Sequence, residues 1–395
     1  QHQSHRSIVE ELKQVEAFAE AHRCLTNRAI SAQLDRLCAM ANPNGTHDPA
    51  GISRRQWLTG CLILLGGPFG PAVNRRLTAA AQGNDRIDSV TGPIAVDELG
   101  ITLMHEHVLV DFIGASSVSP ARYDAEDAFK TVLPHLQQLK QLGCVTLVEC
   151  TPAYLGRDPL LLKRLAEASG LHILSNTGYY GAAEDKFVPA HAFRESAEQL
   201  ADRWTREWER GIDDTGIKPA FMKIGVDSGP LSEIDTKLVR AAALTHRATG
   251  LPIASHTGNG IAAREEIDLL ERAGVPASSF IWVHAQSERD DTFHIDAAKR
   301  GAWVEFDGIS EATVSRHVDL VRRMKTEGLF GRVLVSHDAG WYRVGEAGGG
   351  AFRPYDTLFT KFVPGLKTAG FTDLEVRQLL VDHPRAALRR RPAQV

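Results

Sequence analysis

Along residues 88–390, short apolar and β-branched runs alternate with longer stretches in which apolar positions recur every three or four residues. The short runs fall at 101–107, 144–150, 172–178, 221–225, 252–256, 280–284, 302–306 and 333–338, giving eight predicted strands. Helical periodicity fills 125–142, 193–210, 237–249 and 262–273, and Gly143, Gly250, Gly274 and Gly301 stand where helices stop. Eight strands alternating with helices predict an α/β fold of the (β/α)8 TIM-barrel type over 87–390, in preference to a doubly wound sheet. Residues 87–99 read as a small N-terminal hairpin at the barrel entrance, with its turn at Gly92-Pro93.

Ahead of the barrel the pattern changes. Ser53-Arg54-Arg55-Gln56-Trp57-Leu58 precedes a short apolar run at 61–73 and then Ala79-Ala80-Ala81, the layout of a twin-arginine secretory signal over 40–81. Gly67 and Pro68 interrupt that run, which is too short for a stable membrane span. Residues 1–39 form a leader, disordered or helical, whose translation is open, since Met40 sits at a suitable distance from the arginines. Its spacing of Ile8, Leu12, Val15 and Phe18 permits an amphipathic helix. The expected location is periplasmic or secreted, and cytoplasmic if 53–81 is not a signal.

Composition narrows the function. A formal charge of -4, with Lys and Arg dispersed along the chain, gives no basic footprint for nucleic acid or an anionic membrane surface. Of five cysteines, Cys144 and Cys150 share one predicted strand. Six positions on a strand separate them by roughly 20 Å, beyond disulfide reach. Cys24, Cys38 and Cys61 lie in the leader and signal region.

The candidate chemistry sits at the strand ends. Residues two apart on a strand share a face, so in His105-Glu106-His107 both imidazoles enter the mouth and Glu106 points outward. Lys223 lies in the fourth run, His256 ends the fifth, His284 the sixth and Asp338 the eighth, where barrel enzymes place their reactive groups. Chance placement of all six is improbable, and the joint reading is a metal site. His337 should point away from it by alternation, while His135, His172, His191, His246, His294, His317 and His383 fall on helices or in loops as surface or packing residues.

Residues 105–107, the 221–225 strand with its lysine, Ser255-His256-Thr257-Gly258, Val283-His284 and Ser336-His337-Asp338 together resemble the ordered motifs of phosphotriesterase-like hydrolases of the amidohydrolase superfamily. The resemblance covers 87–388 and implies two divalent cations. His105, His107 and Asp338 would hold the more buried ion, His256 and His284 the more exposed one, and Lys223, carboxylated by carbon dioxide, would bridge them. An ammonium cannot ligate a cation, whereas a carbamate offers two anionic oxygens that can span ions about 3.5–4 Å apart. Water shared by the ions would ionise near neutral pH, with Asp338 as the expected catalytic residue that orients it and takes its proton. Zinc is the first expectation; manganese, cobalt and iron suit the same ligands.

The expected function is hydrolysis, by that metal-bridging hydroxide, of a small neutral ester, lactone or phosphotriester. Loops after strands 1, 3, 7 and 8 contribute Phe112, Tyr179, Tyr180, Ile309, Trp341, Tyr342 and Phe352, an aromatic and apolar inventory. Tyr180 resembles a pocket tyrosine of lactonase members, but Asp307-Gly308 departs from their common Asp-Arg. Glycines at 345, 348, 349 and 350 suggest a mobile lid. The alternatives are a metal- or solute-binding barrel without catalysis and an amidohydrolase acting on an amide or cyclic amide. A homodimer is the candidate assembly. Gly258-Asn259-Gly260-Ile261-Ala262-Ala263 imitates a dinucleotide fingerprint but lacks the acidic residue at the end of the next strand.

Overall fold

The computed structural model describes residues 86–391; the expectations for 1–39 and for the twin-arginine region 40–81 lie outside the described residues. Strands β1 (Arg86–Ser89) and β2 (Gly92–Ala95) pair antiparallel. Their turn falls at Val90-Thr91, ahead of the expected Gly92-Pro93. Ser89 closes it, its hydroxyl donating to the Gly92 carbonyl at 2.6 Å and accepting from the Thr91 N–H at 3.3 Å.

The barrel strands are β3 (Thr102–Val110), β4 (Thr146–Glu149), β5 (His172–Leu174), β6 (Asn176–Thr177), β7 (Phe221–Val226), β8 (Ile253–Thr257), β9 (Phe280–Val283), β10 (Trp303–Phe306), β11 (Val333–Val335) and β12 (Gly340–Arg343). They run parallel in two arcs, β6 through β11 in sequence order, and β5-β4-β3-β12. Ser175 alone separates β5 from β6, so the predicted 172–178 strand is a single run broken once. The other seam is held by the Asp338 N–H on the His105 carbonyl at 3.0 Å and the His105 N–H on Ser336 Oγ at 2.9 Å. This is the TIM-barrel fold. Its last predicted strand, 333–338, stops at Val335, and the chain then turns.

Polar caps set the helices around this core. Helices α1 (Ala125–Gln141) and α2 (Pro159–Ser169) start at Asp124 and Asp158, whose carboxylates accept two backbone N–H groups each. The predicted 193–210 helix divides into α3 (Ala190–Arg194) and α4 (Ala197–Arg210), because Ser196 forms a capping box with Gln199. Helix α5 (Glu233–Thr249) begins four residues before the predicted 237, from a capping box of Ser232 and Asp235. Asn259 caps α6 (Gly260–Arg272), so the dinucleotide-like glycines serve a helix start. Helices α7 (Asp291–Arg300) and α8 (Val314–Thr326) complete the alternation before the shorter C-terminal helices.

Within the barrel, Met104, Val148, Cys150, Leu174, Phe221, Ala254, Ile281, Val283, Trp303 and Leu334 form one buried cluster with hairpin residues Ile87 and Ile94. Cys144 and Cys150 are buried free thiols. Among the described residues no helix is long and apolar enough to cross a membrane.

Candidate metal centre

The first histidine pair owes its aim to a bulge. Between Leu103 and Glu106 the register of β3 against β4 slips by one residue. Met104 can therefore pack in the core while His105 and His107, just beyond it, both reach the mouth. Four imidazoles then follow one another around the rim. Ring centroids are 5.1 Å apart for His107 and His105, 5.0 Å for His105 and His284, and 4.5 Å for His284 and His256.

Asp338 closes the set. His105 Nε2 and His107 Nε2 lie 3.2 Å apart, with Asp338 Oδ1 at 3.7 Å and 3.1 Å from them. That oxygen is buried and has no hydrogen-bond partner, so three donor atoms converge on a point no protein group fills. Such imidazole and carboxylate donors suit zinc, manganese, cobalt or iron. His105, His107 and Asp338 form one group that could hold an ion, and His105, His284 and Asp307 form another. His256 and Lys223 fall in neither group, although both belong to the expected set.

Lys223 is fully buried on β7 and its Nζ has only the Ile224 carbonyl at 3.4 Å and the Tyr180 ring at 5.5 Å. No ion pair among the described residues includes it. Gly178, at φ +121°, lets β6 run close beside β7; a Cβ there would collide with the Lys223 carbonyl.

Asp307 was not among the expected site residues. It follows β10, fully buried, with Oδ2 3.0 Å from His105 Nδ1 and Oδ1 2.7 Å from His284 Nδ1. It also accepts the His284 N–H at 3.1 Å and the Gln286 amide at 2.8 Å. Asp307 thus stands on the Nδ1 side of both rings, hydrogen-bonded to His284 and in ionic contact with His105, and leaves each Nε2 for an ion, the role of carboxylates behind metal-bound histidines. His107 is held likewise, through a Thr151 hydroxyl 2.8 Å from Nδ1 that donates to the buried Glu149 at 2.5 Å. The signal for Asp307 was available: it directly follows the seventh predicted strand, 302–306, at the mouth where the other candidates sit on theirs.

Electrostatics separate the members. Burial lowers the pKa of His105 to about 4, and burial with the neighbouring His284 and Lys223 charges puts His256 well below the ordinary histidine value. For His284 burial also opposes protonation, but the charge and hydrogen bond of Asp307 outweigh it and the pKa is raised. Asp307 lies well below the carboxylate range, since His284 and His105 overcome its burial. The same carboxylate thus raises His284 above the ordinary histidine value, while burial keeps His105, slightly farther from it, below that value. Burial pulls Lys223 below the usual amine value.

Residues 85–388 match the description of the phosphotriesterase family. The chain belongs to that family. The phosphotriesterase homology protein of Escherichia coli K12 is 29% identical over 295 residues, covering 74% of this chain and 98% of the relative. The aryldialkylphosphatase of Saccharolobus solfataricus is 26% identical over 264 residues, 65% of this chain and 80% of the relative. An N-acetyltaurine hydrolase of Salmo salar is 26% identical over 345 residues, 76% of this chain and 97% of the relative. A solved mutant of the organophosphorus hydrolase from Deinococcus radiodurans superposes with a TM-score of 0.70 at 26% identity, covering 76% of this chain and 97% of its own.

Among this family member's expected pocket residues, three face the centre. Tyr180 places its hydroxyl 3.0 Å from His256 Nδ1, Trp341 packs edge-on to His107 at 5.6 Å, and Phe112, 40% exposed, meets Trp341 at 5.5 Å. Phe187, unforeseen, touches both Phe112 and Tyr180. Tyr179 turns the other way, its ring against Tyr154, His191 and Trp204 and its hydroxyl on His191. Tyr342 bonds Asp127 on α1, and Phe352 stacks on His135. Tyr179-Tyr180 and Trp341-Tyr342 thus each supply one ring to the mouth; Trp341 does so from a left-handed backbone, φ +77°.

Proposed function

We propose that this chain is a binuclear metal-dependent hydrolase acting on a neutral ester, lactone or phosphotriester. The observation that carries the reading is the orphaned Asp338 Oδ1 beside the facing Nε2 atoms of His105 and His107, in a chain of imidazoles that continues to His284 and His256. His105, His107 and Asp338 would hold one divalent cation and His256 and His284 the other, zinc being the first candidate. Lys223 would become their bridge on carboxylation, the one change that makes a buried amine without a counter-ion into an anionic ligand. Bound cations would polarise the scissile carbonyl or phosphoryl group and lower the pKa of an attacking water.

The protein's own residues supply the rest. Asp338 can take the proton from that water, and the Tyr180 hydroxyl can orient the substrate from beside His256. Phe112, Phe187 and Trp341 make an apolar wall suited to a neutral leaving group. Export by the twin-arginine route belongs to the same reading, since that route carries proteins already folded around their metal. A second reading, amide hydrolysis, is favoured by the likeness to N-acetyltaurine hydrolases.

The test is Lys223→Ala in metal-loaded protein, assayed on a chromogenic aryl ester, a lactone, a phosphotriester and an N-acyl amide. Wild type should turn over at least one of the first three. The variant should lose a cation and several orders of magnitude in rate, part of which formate or propionate restores by supplying the missing oxygen anion. Two tightly held ions and unchanged turnover in Lys223→Ala would end the carbamate reading. Turnover of the amide alone would move the assignment to the second.

A further inference from the structure

We infer that Glu106, between the two histidines of β3, is the positioning residue that sets Asp338. The inference rests on the metal-centre reading above. Glu106 points away from the mouth, as alternation requires, yet it is completely buried. Its Oε1 accepts the Ser336 hydroxyl at 2.8 Å, the His337 backbone N–H at 3.1 Å and His337 Nδ1 at 2.7 Å; its Oε2 accepts the Ala339 N–H at 2.9 Å. Four donors from residues 336–339 therefore converge on one carboxyl group, and two of them are the backbone amides on either side of Asp338.

That grip coincides with an unusual backbone. Asp338 sits at φ +54°, a left-handed conformation that a side chain with a Cβ rarely adopts. An extended continuation of β11 would carry the residue past the histidines. Held in the turn, Asp338 donates its N–H to the His105 carbonyl at 3.0 Å and receives Arg353 on its own carbonyl at 2.7 Å. Its carboxylate then arrives 3.1 Å from His107 Nε2. His337 takes part as a spacer: its Nε2 accepts the Leu358 N–H at 2.7 Å, which assigns the Nδ1 proton to Glu106. The His-Glu-His run thus combines two ligand candidates with the clamp for a third, because one β3 backbone faces the mouth on one side and the 336–339 turn on the other.

Glu106→Gln keeps the volume and removes one acceptor oxygen, so an amide NH2 must face either the Ala339 N–H or the three donors opposite. The experiment measures zinc affinity of the full chain by chelator competition, in wild type, Glu106→Gln, Asp338→Asn and the double variant. Glu106→Gln should weaken one of two zinc sites by about 10- to 100-fold, the range for partners behind metal ligands. The second site should stay within about threefold. In the Asp338→Asn background the same change should cost almost nothing further, which a general loss of stability would not reproduce. If Glu106→Gln does not fold, Glu106→Asp, which keeps the charge but withdraws the carboxylate by one methylene from the 336–339 donors, decides by the same site-selective loss. Wild-type affinity at both sites in Glu106→Gln, or in Glu106→Asp should that variant be needed, would overturn the positioning role alone. Additive losses in the double variant would overturn it as well. A wild type that binds no zinc would instead overturn the metal centre on which it rests.

Discussion

Asp307→Asn should disturb both of the proposed cation sites at once, because one carboxylate reaches histidines from different strands. Its oxygens lie 3.0 Å from His105 Nδ1 and 2.7 Å from His284 Nδ1. An asparagine at the same place offers one oxygen and one NH2, so one imidazole loses its acceptor and faces a donor, and the other keeps only a neutral acceptor in place of a charged one. A hydrogen bond to a charged group is worth about 1.5–3 kcal/mol, and a buried donor left unpaired costs about 1–3 kcal/mol. Losing the partner behind a metal-bound histidine lowers affinity about 10- to 100-fold, or roughly 1.4–2.8 kcal/mol. The variant should therefore bind two zinc ions, each more weakly, in a two-site chelator competition. Loss of one ion outright, with the other undisturbed, would show instead that Asp307 is a direct ligand beside His105 and His284, a grouping the geometry also permits. Both affinities within threefold of wild type would refute the account of how these rings are held.

Other outcomes follow from single contacts. Tyr180→Phe should change the kcat/KM ratio between a lactone and an aryl ester by less than about 2 kcal/mol with two ions retained, since the hydroxyl orients and does not ligate; loss of metal would remove Tyr180 from the wall. Glu266 on α6 is pushed up to about 8 by burial, with Asp235 adding to the rise, while the Ser255 and Thr257 hydroxyls oppose it. Its folded pKa exceeds the unfolded value of about 4.3, so its contribution to stability is complete below that value and is lost as pH rises to about 8. Glu266→Gln should flatten the decline in chemical-denaturation stability over that window by up to a few kcal/mol; equal slopes in both proteins would contradict the burial argument. Arg54→Lys with Arg55→Lys should strand the protein in the cytoplasm on cell fractionation, and normal periplasmic accumulation would remove the signal from the reading.

The barrel was legible because its strands are short apolar runs at regular intervals and its helices begin at Asp, Ser and Asn caps. Candidate ligands were legible for a related reason: parallel strands all end on one face, so strand-end His105, His107, His256 and His284 had to share a mouth. What escaped was phase. A period of two leaves open which of Tyr179 and Tyr180 turns inward, and the answer depends on how β6 meets β7 and on where α4 places Trp204. Asp307 could have been found from its place just after the seventh predicted strand, but Glu149 and Thr151 escaped because their importance lies in what stands 2.5 to 2.8 Å away, on another strand or two residues along. No local pattern encodes such a neighbour.

Early termination of the strand pattern has the same origin as the site. His284 and Asp338, the expected ligands after β9 and β11, are both non-glycine residues at positive φ, +63° and +54°. Each such residue costs on the order of 1–3 kcal/mol and persists only where its surroundings fix it. Here they do: the His284 N–H is taken by Asp307 at 3.1 Å and the Asp338 N–H by the His105 carbonyl at 3.0 Å. A left-handed residue reverses the course of an extended chain within one step, so its side chain can swing across the barrel axis instead of continuing up the wall. Residues β9 and β11 would have gained as further strand were exchanged for two donors that meet over the mouth. The hydrogen bonds that keep them there come from the carboxylate and carbonyl groups behind the histidines, so backbone strain and donor convergence are two consequences of one network.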